Sequence, residues 1–329
     1  MFTYSPKQWL GKHAAAIISL LIAANRTSKK NLVRILDNVK NEMYITTISG
    51  DVPWRPYQEE ISEANLATFA QDSTLKFSDA TVRPVKIMAM DKFLMDQLRN
   101  TRFAADIKQG AANIDSNEFR QAVLAYLIPI LGKSFERLFY NSVTATTKAA
   151  IAASSATAAQ KAWAAAQPDG LVDGILANMI ANGNVIAVAG TSVTATNIVA
   201  EYEKIYAALP GVVAGNPDTR MFVPESDFSL VLQANRNQQY RDIFTVQGNG
   251  LENATVTFSG LELEFVPQPG RFAGRAGSSG DFVLATDKAG DENEFTIDKV
   301  NNLGDAMFGK AVATLDAEVL LPQQKVLYL

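Results

Sequence analysis

The sequence predicts an α+β protein with mixed sheets. Three observations carry that expectation. Residues 115–140 keep one unbroken helical period. Helix and strand signals alternate between residues 171 and 300. The last forty residues are mostly of strand character. The length of 329 residues corresponds to about two domain-sized units at roughly 150 residues each.

Residues 1–48 read as two helical pieces, parted near Asn25–Ser28. The uncharged run of residues 14–24 follows Lys7 and Lys12 and has the outline of a signal peptide. A cut after Ala24 would leave bulky Ile22 three places before it, so a retained, buried helix is expected. The run is also far short of the about 20 residues a bilayer span requires, and the chain is read as soluble and intracellular at synthesis. Leu32, Ile35, Leu36 and Val39 would give the second piece one apolar stripe. Residues 1–50 hold seven Lys and Arg against two acids, a net +5; the whole chain is −4, so the remainder is −9. Arg26, Lys29, Lys30 and Arg34 have helical spacing and are candidate subunit contacts, docking on an acidic surface. They lack interleaved aromatics, which argues against a specific nucleic-acid reader. Removing this arm is expected to leave a folded body.

The chain then changes character. The stretch GDVPWRPYQEE has two prolines and is no compact helix. LKFSDATVRPVKIMAM alternates at Leu75 and Phe77 and again at Val85, Ile87 and Ala89. Two extended stretches around a polar excursion describe a long protruding β-loop. Trp54 and Tyr57, with Lys76 and Phe77 on the return, are its candidate subunit contacts, since such a loop has no core of its own. The alternative is that the aromatics tuck onto the subunit's own long helix.

Asp91–Thr101 reads as a short helix. Asp115-Ser-Asn-Glu118 resembles a capping box and opens a helix of about seven turns, with Phe119, Val123, Leu127, Leu131, Phe135 and Leu138 on one face and Pro129 inside. Residues 145–166 hold 12 alanines in 22, an Ala-rich helix or connector ended by Pro168-Asp-Gly170. Thr196 should cap a helix carrying Ile198, Tyr202, Ile205 and Leu209 and stopped by Pro210-Gly211. Met221–Pro224 is a strand, Glu225–Ala234 a helix, and Thr255–Phe258 with Leu261–Val266 a hairpin through Ser259-Gly260. RFAGRAGSSGD reads as a flexible loop, and Phe282–Ala285 as a strand.

Composition narrows the chemistry. There is no cysteine, which removes disulfides, zinc ribbons, iron–sulfur clusters and thiol nucleophiles. The single histidine, His13, is the only base a Ser-His-Asp triad could use. Gly270, Gly274, Gly277 and Gly280 match no phosphate-binding spacing. Glu262 and Glu264 are two apart in a strand, on one exposed face, and read as a solvated face or a subunit contact. Asp287, Asp291 and Glu292 lack the spacing of a calcium loop. No catalytic, cofactor or metal site follows from these residues. Charged residues are only 19% against 47% apolar, which points to a chain that buries more surface than a monomer offers.

The succession of elements resembles the major capsid protein of tailed bacteriophages, the Hong Kong 97 fold. The segments that carry the resemblance are LKFSDATVRPVKIMAMDKFLMDQLRNTRFAADI with SNEFRQAVLAYLIPILGKSFERLFYNS, then TATNIVAEYEKIYAALP with TRMFVPESDFSLVLQANR, and GKAVATLDAEVLLPQQKVLYL. The resemblance implies an N-terminal arm (1–48), an extended loop (49–84), a peripheral domain (85–165 and 286–315) with its spine helix at about 115–140, and an axial domain (166–285 and 316–329). It implies a structural protein, not an enzyme, assembled as hexamers and pentamers into an icosahedral virion shell around double-stranded DNA, and built in the bacterial host cytoplasm. Scaffolding, portal and decoration proteins are the implied partners, with no cofactor, membrane or small-molecule substrate. The lysine, asparagine and glutamate with which one member cross-links its subunits find no match here.

An encapsulin, a bacterial shell holding protein cargo, is the alternative within the fold. A carboxylate-dependent hydrolase and a secreted surface-layer protein are the rivals outside it.

Overall fold

The computed structural model describes residues 8–10, 12–50, 52–54, 57, 59, 62–63, 75–94, 117–236, 243–248, 250–287, 293–299 and 306–329. Strand β1 (Gln8–Leu10) leads into helix α1 (Lys12–Ala23), which is the uncharged run. Ala14, Ile18, Leu21 and Ile22 are buried in the main core together with Phe135 and Phe139 of the long helix. The N-terminal segment is therefore part of the body, and the expectation of a separable arm is corrected: its removal would open the core. Helix α2 (Arg26–Lys29) is a single turn. The expected second helix stops there. Asn31 takes a φ of 52°, a left-handed conformation that ends helices. Residues Arg34–Leu36 instead form β2, parallel to Val283–Ala285. A partner strand outweighs a helical stripe that β-branched Val33 and Ile35 supported only weakly.

Strands β3 (Met43–Ser49) and β4 (Lys76–Val82) form the expected ribbon, antiparallel from Met43 opposite Val82 to Ser49 opposite Lys76. β5 (Val85–Leu94) follows. The helix expected at Asp91–Thr101 is corrected at its start: Asp91–Leu94 stay in β5, laddered to Gly309–Ala306, because the strand period of KIMAM runs on into a long partner. Residues 95–101 lie outside the described residues.

Helix α3 (Asn117–Asn141) is the long helix and runs through Pro129; Asp115 and Ser116 of the expected capping box lie outside the described residues. After β6 (Val143–Thr144), the Ala-rich stretch is two helices, α4 (Ala145–Ala153) and α5 (Ala158–Ala166). The split has a local cause: Thr144 caps the first, and Thr157 with Gln160 forms a capping box on the second. β7 (Asp169–Gly170) and the buried α6 (Ile175–Ala181) follow.

The next region alternates as expected: β8 (Ile186–Val188), α7 (Ile198–Ala208), α8 (Gly211–Ala214), β9 (Thr219–Pro224), α9 (Asp227–Arg236), β10 (Phe244–Gln247), α10 (Gly250–Asn253), β11 (Thr255–Phe258) and β12 (Leu261–Val266). The N-cap of α7 is Asn197, not Thr196. Ser259 and Gly260 turn the hairpin with φ of 48° and 86°, the pair of positive angles a two-residue turn of this twist requires. The stretch RFAGRAGSSGD is not a loop at its start. Arg271–Arg275 is β13, held between β9 and the final strand. A methyl group at Gly274 would sit 2.7 Å from the Lys325 side chain and 2.8 Å from the Phe282 ring. That glycine serves close packing, not freedom. β14 (Phe282–Ala285), β15 (Glu294–Lys299), β16 (Ala306–Val319) and β17 (Val326–Tyr328) complete the chain.

Two main sheets result. One has the order β1-β15-β16-β14-β2, with β5 also on β16; the other has the order β10-β11-β12-β9-β13-β17-β8. The larger core lies where α1, α3 and α6 meet both sheets, around Tyr140, Phe222, Phe272 and Phe282. Phe222 stacks on Phe272 at 4.7 Å, and Phe282 meets both edge-on at 5.1 Å. A second core under α7 and α9 centres on Tyr202, Phe244 and Phe258. A third, small one (Val39, Ile45, Val82, Val283, Ala285, Leu320) roots the ribbon. Among the described residues no helix is long and apolar enough to cross a membrane.

Candidate functional site

The register of the ribbon decides which side chains it offers. Antiparallel pairing sets Ile48 opposite Phe77, Thr46 opposite Asp79 and Tyr44 opposite Thr81, all on one face. Ile45, Ala80 and Val82 take the other face and pack on the body at the root. The outward face is open: Tyr44 is 64% exposed, Ile48 58% and Phe77 67%. Beyond the strands, Trp54 is 101% exposed and Tyr57 89%. Lys76 is exposed opposite Ser49. Trp54 and Tyr57 are thus not tucked onto α3. Tyr44 and Ile48 were missed by the sequence reading, although the alternation of MYITTIS was there to find them.

A second apolar surface lies between α3 and β5. It is a groove of about 250 Å³, lined among others by Ile87, Met88, Leu131, Phe135, Leu138 and Leu171.

The four cations proposed as contacts part ways. Lys29 is exposed, and Arg34 lies in β2. Lys30 donates to both oxygens of Glu264, at 3.1 and 2.8 Å. Arg26 stands 3.6 Å from the same carboxylate and 5.7 Å over the Phe265 ring. Glu264 is only 2% exposed, so the reading of Glu262 and Glu264 as a solvated face is corrected. Both do share a face of β12, but α2 covers one, and Arg220 pairs with the other at 2.9 Å. Which segment covers a strand face is long-range information; the only sequence signal was the opposite charge of the two regions. Burial pushes the Glu264 carboxyl up, and Lys30 and Arg26 pull it back. The same turn is tied to α3: Glu136 accepts from the Thr27 N–H at 2.8 Å and from its hydroxyl, which also meets Tyr140 at 3.0 Å.

Other buried carboxylates are equally spoken for. Arg271 grips Asp227 with two bonds of 2.6 and 2.8 Å, and Tyr202 donates to it at 2.8 Å. Asp281 takes Lys325 at 2.5 Å and both arms of Arg275. Glu201 accepts from Lys204, Tyr328 and Thr191, with Lys204 foremost in holding its carboxyl down at about 2. Carboxylates pinned in this way hold sheet and helices in place. Among the described residues no group of three or more His, Asp or Glu is placed to hold a metal ion. Asp291 and Glu292, of the weighed calcium trio, lie outside the described residues.

No family model matches this chain. No curated protein matches it either. Solved structures do. A chain of the satellite phage P4 procapsid, solved with its size determination protein, aligns over 95% of this chain and 97% of its own, at 11% identity and a TM-score of 0.52. The capsid of an empty GTA particle aligns over 92% and 90%, at 11% identity and a TM-score of 0.50. The encapsulin complex of Synechococcus elongatus aligns over 92% and 86%, at 9% identity and a TM-score of 0.47, too low to weigh between kinds of shell. Nearly the whole chain therefore has the mixed α/β fold of phage capsid subunits.

Proposed function

We propose that this chain is a major capsid protein that assembles, as hexamers and pentamers, into a closed icosahedral shell around phage double-stranded DNA. One observation carries the reading: the ribbon turns Tyr44, Ile48 and Phe77 to solvent on one face and extends Trp54 and Tyr57 beyond it. Such a surface is a liability on a lone subunit and an anchor on an assembled one, where aromatics carry much of the interface energy. The fold likeness to capsid subunits supports it. In this reading α3 is the spine helix, the sheet that holds β16 belongs to the peripheral domain, and the seven-stranded sheet is the core of the axial domain. The ribbon of one copy lies on the groove between α3 and β5 of the next, a head-to-tail contact that closes into rings. Scaffolding, portal and decoration proteins would join such a shell, and no catalytic role is assigned.

Sedimentation and negative-stain microscopy of the purified protein test this. Closed particles or hexameric sheets are expected, with nuclease-protected DNA inside those recovered from infected cells. A sharp monomer at every salt and protein concentration, with a scaffold supplied, overturns the reading. Protein cargo in place of DNA turns it to the encapsulin alternative.

A further inference from the structure

The joint between ribbon and body holds a cleft of about 520 Å³. Thr81, Arg83 and Val85 wall it from the ribbon side, and Asp173, Asp316 and Glu318 from the body. Asp316 and Glu318 are two apart on β16, so both carboxylates leave the same face of the strand.

The surroundings of the pair hold little to neutralise it. Asp316 accepts from the Arg83 backbone N–H at 2.6 Å and from that of Ala317 at 2.9 Å; Glu318 accepts from the Val319 N–H at 2.9 Å. Arg83 sends its guanidinium away to Glu42, at 3.0 Å, and Glu42 also bonds Tyr44. Asp173 adds a third carboxylate, held by the Thr144 N–H at 2.7 Å and the Thr147 hydroxyl at 2.7 Å. Asn178 spends its amide on the Ala317 carbonyl. Among the described residues no lysine lines the cleft. Burial pushes the Asp316 carboxyl up to about 6, with the Asp173 charge adding to it, and the Glu318 carboxyl up to about 7, with the Asp316 charge adding to it. Among the described residues no histidine lines the cleft, so a response of this joint near neutral pH falls to its shifted carboxylates.

We propose that this cleft makes the ribbon joint a pH-operated hinge: with Asp316 and Glu318 protonated the ribbon root is seated on β16, and with both ionised the cleft opens to water and the ribbon loosens. The ribbon is the wall that can move, since at the joint it is held by the Arg83–Asp316 bond and the small apolar cluster, whereas β16 is laddered to β5, β14 and β15. The sign follows from linkage. Carboxyls raised above their ordinary values favour the closed joint, fully so in acid, and that preference is lost as pH rises through about 6 to about 7.

Amide hydrogen exchange of β3 and β4 in the unassembled subunit, from pH 4 to 8.5 and corrected for the intrinsic rate, reads the hinge. Protection should fall from about pH 4, the ordinary carboxylate range that the open joint restores, by up to about tenfold per pH unit for each proton released, and level off above pH 6 to 7, while the seven-stranded sheet stays protected. The double variant Asp316→Asn/Glu318→Gln should keep the ribbon protected throughout. The single variant Glu318→Gln should move the midpoint down toward that of Asp316. A flat profile in the natural protein, or the same fall in the double variant, overturns the hinge. Its consequence for assembly rests on the shell reading, but this measurement does not: flat exchange with normal shells removes the hinge alone, and a working hinge without shells removes only the shell reading.

Discussion

The seven-stranded sheet and the β3–β4 ribbon solve the same problem in opposite ways. In the sheet, apolar side chains are covered within the chain, as Phe222 and Phe272 are by each other and by Phe282 of β14. Its buried acids are each matched by a cation, as Asp227 is by Arg271 and Asp281 by Lys325. In the ribbon, Tyr44, Ile48 and Phe77 stand open on one face, and Asp316 and Glu318 at its root accept from backbone N–H groups, with no cation on either among the described residues. One region is finished by folding; the other leaves an apolar face open to solvent. The contrast extends to pH. Glu201 in the first region is held low, so what it contributes is present at neutral pH and fades only as pH falls toward about 2. Asp316 and Glu318 respond in the opposite sense, favouring their buried setting in acid.

The largest test removes part of a finished region. A chain lacking residues 1–24 loses Ala14, Ile18, Leu21 and Ile22 from the main core. It should fail to give a cooperative melting transition, as judged by circular dichroism or calorimetry. A normal melt would mean that α1 is an appendage after all, and the contrast would lose one of its terms. Next in size, Phe272→Ala should destabilise the subunit by about 3–5 kcal/mol, since Phe272 is fully buried between two other rings. Denaturant unfolding gives the number, and a cost below about 1 kcal/mol would contradict the packing.

What the sequence made legible follows the same division. Periodicity exposed the long helix, the ribbon, the Ser259-Gly260 hairpin and the closing strands, because each is written in consecutive residues. It failed where a distant partner decides. Ile35 and Leu36 have a helical stripe but join a strand 249 places away. Asp91 has a turn-forming side chain but stays in β5 because β16 runs alongside. The glycines after Phe272 suggest freedom, yet Gly274 allows Phe282 and Lys325 to come close. The exposed candidates Trp54, Tyr57 and Phe77 were readable because prolines and strand period allow them no local core. Glu264 was not, because its cover comes from α2.

Glu264→Gln probes a tie of intermediate size. It keeps an acceptor for Lys30 but removes the charge that Lys30 and Arg26 share. Hydrogen bonds to charged groups contribute about 1.5–3 kcal/mol, and Lys30 and Arg26 keep some access to water. A loss of about 1–2 kcal/mol in subunit stability is expected on that scale. A loss that disappears at high salt would show the pair to be a screened surface contact, contrary to the burial of Glu264.

The smallest effect on the subunit is the sharpest test of the comparison. Trp54 stands fully clear of its own chain. Its truncation to alanine should leave subunit stability within about 0.5 kcal/mol of the parent, as for other exposed positions. The same change should cost assembly about 2 kcal/mol or more per contact if the ring anchors a neighbour, and a shell multiplies that cost over its copies. Equal melting temperatures with absent or fragile particles would therefore set the ribbon apart from the sheet, where Phe272→Ala lowers the melting temperature before any assembly is attempted. A Trp54→Ala subunit that melts early would place the ring in its own core. One that melts normally and still closes intact shells would leave Phe77, Tyr44 and Ile48 to carry the contact. The triple alanine variant at those three positions then decides whether the ribbon face has any part in it.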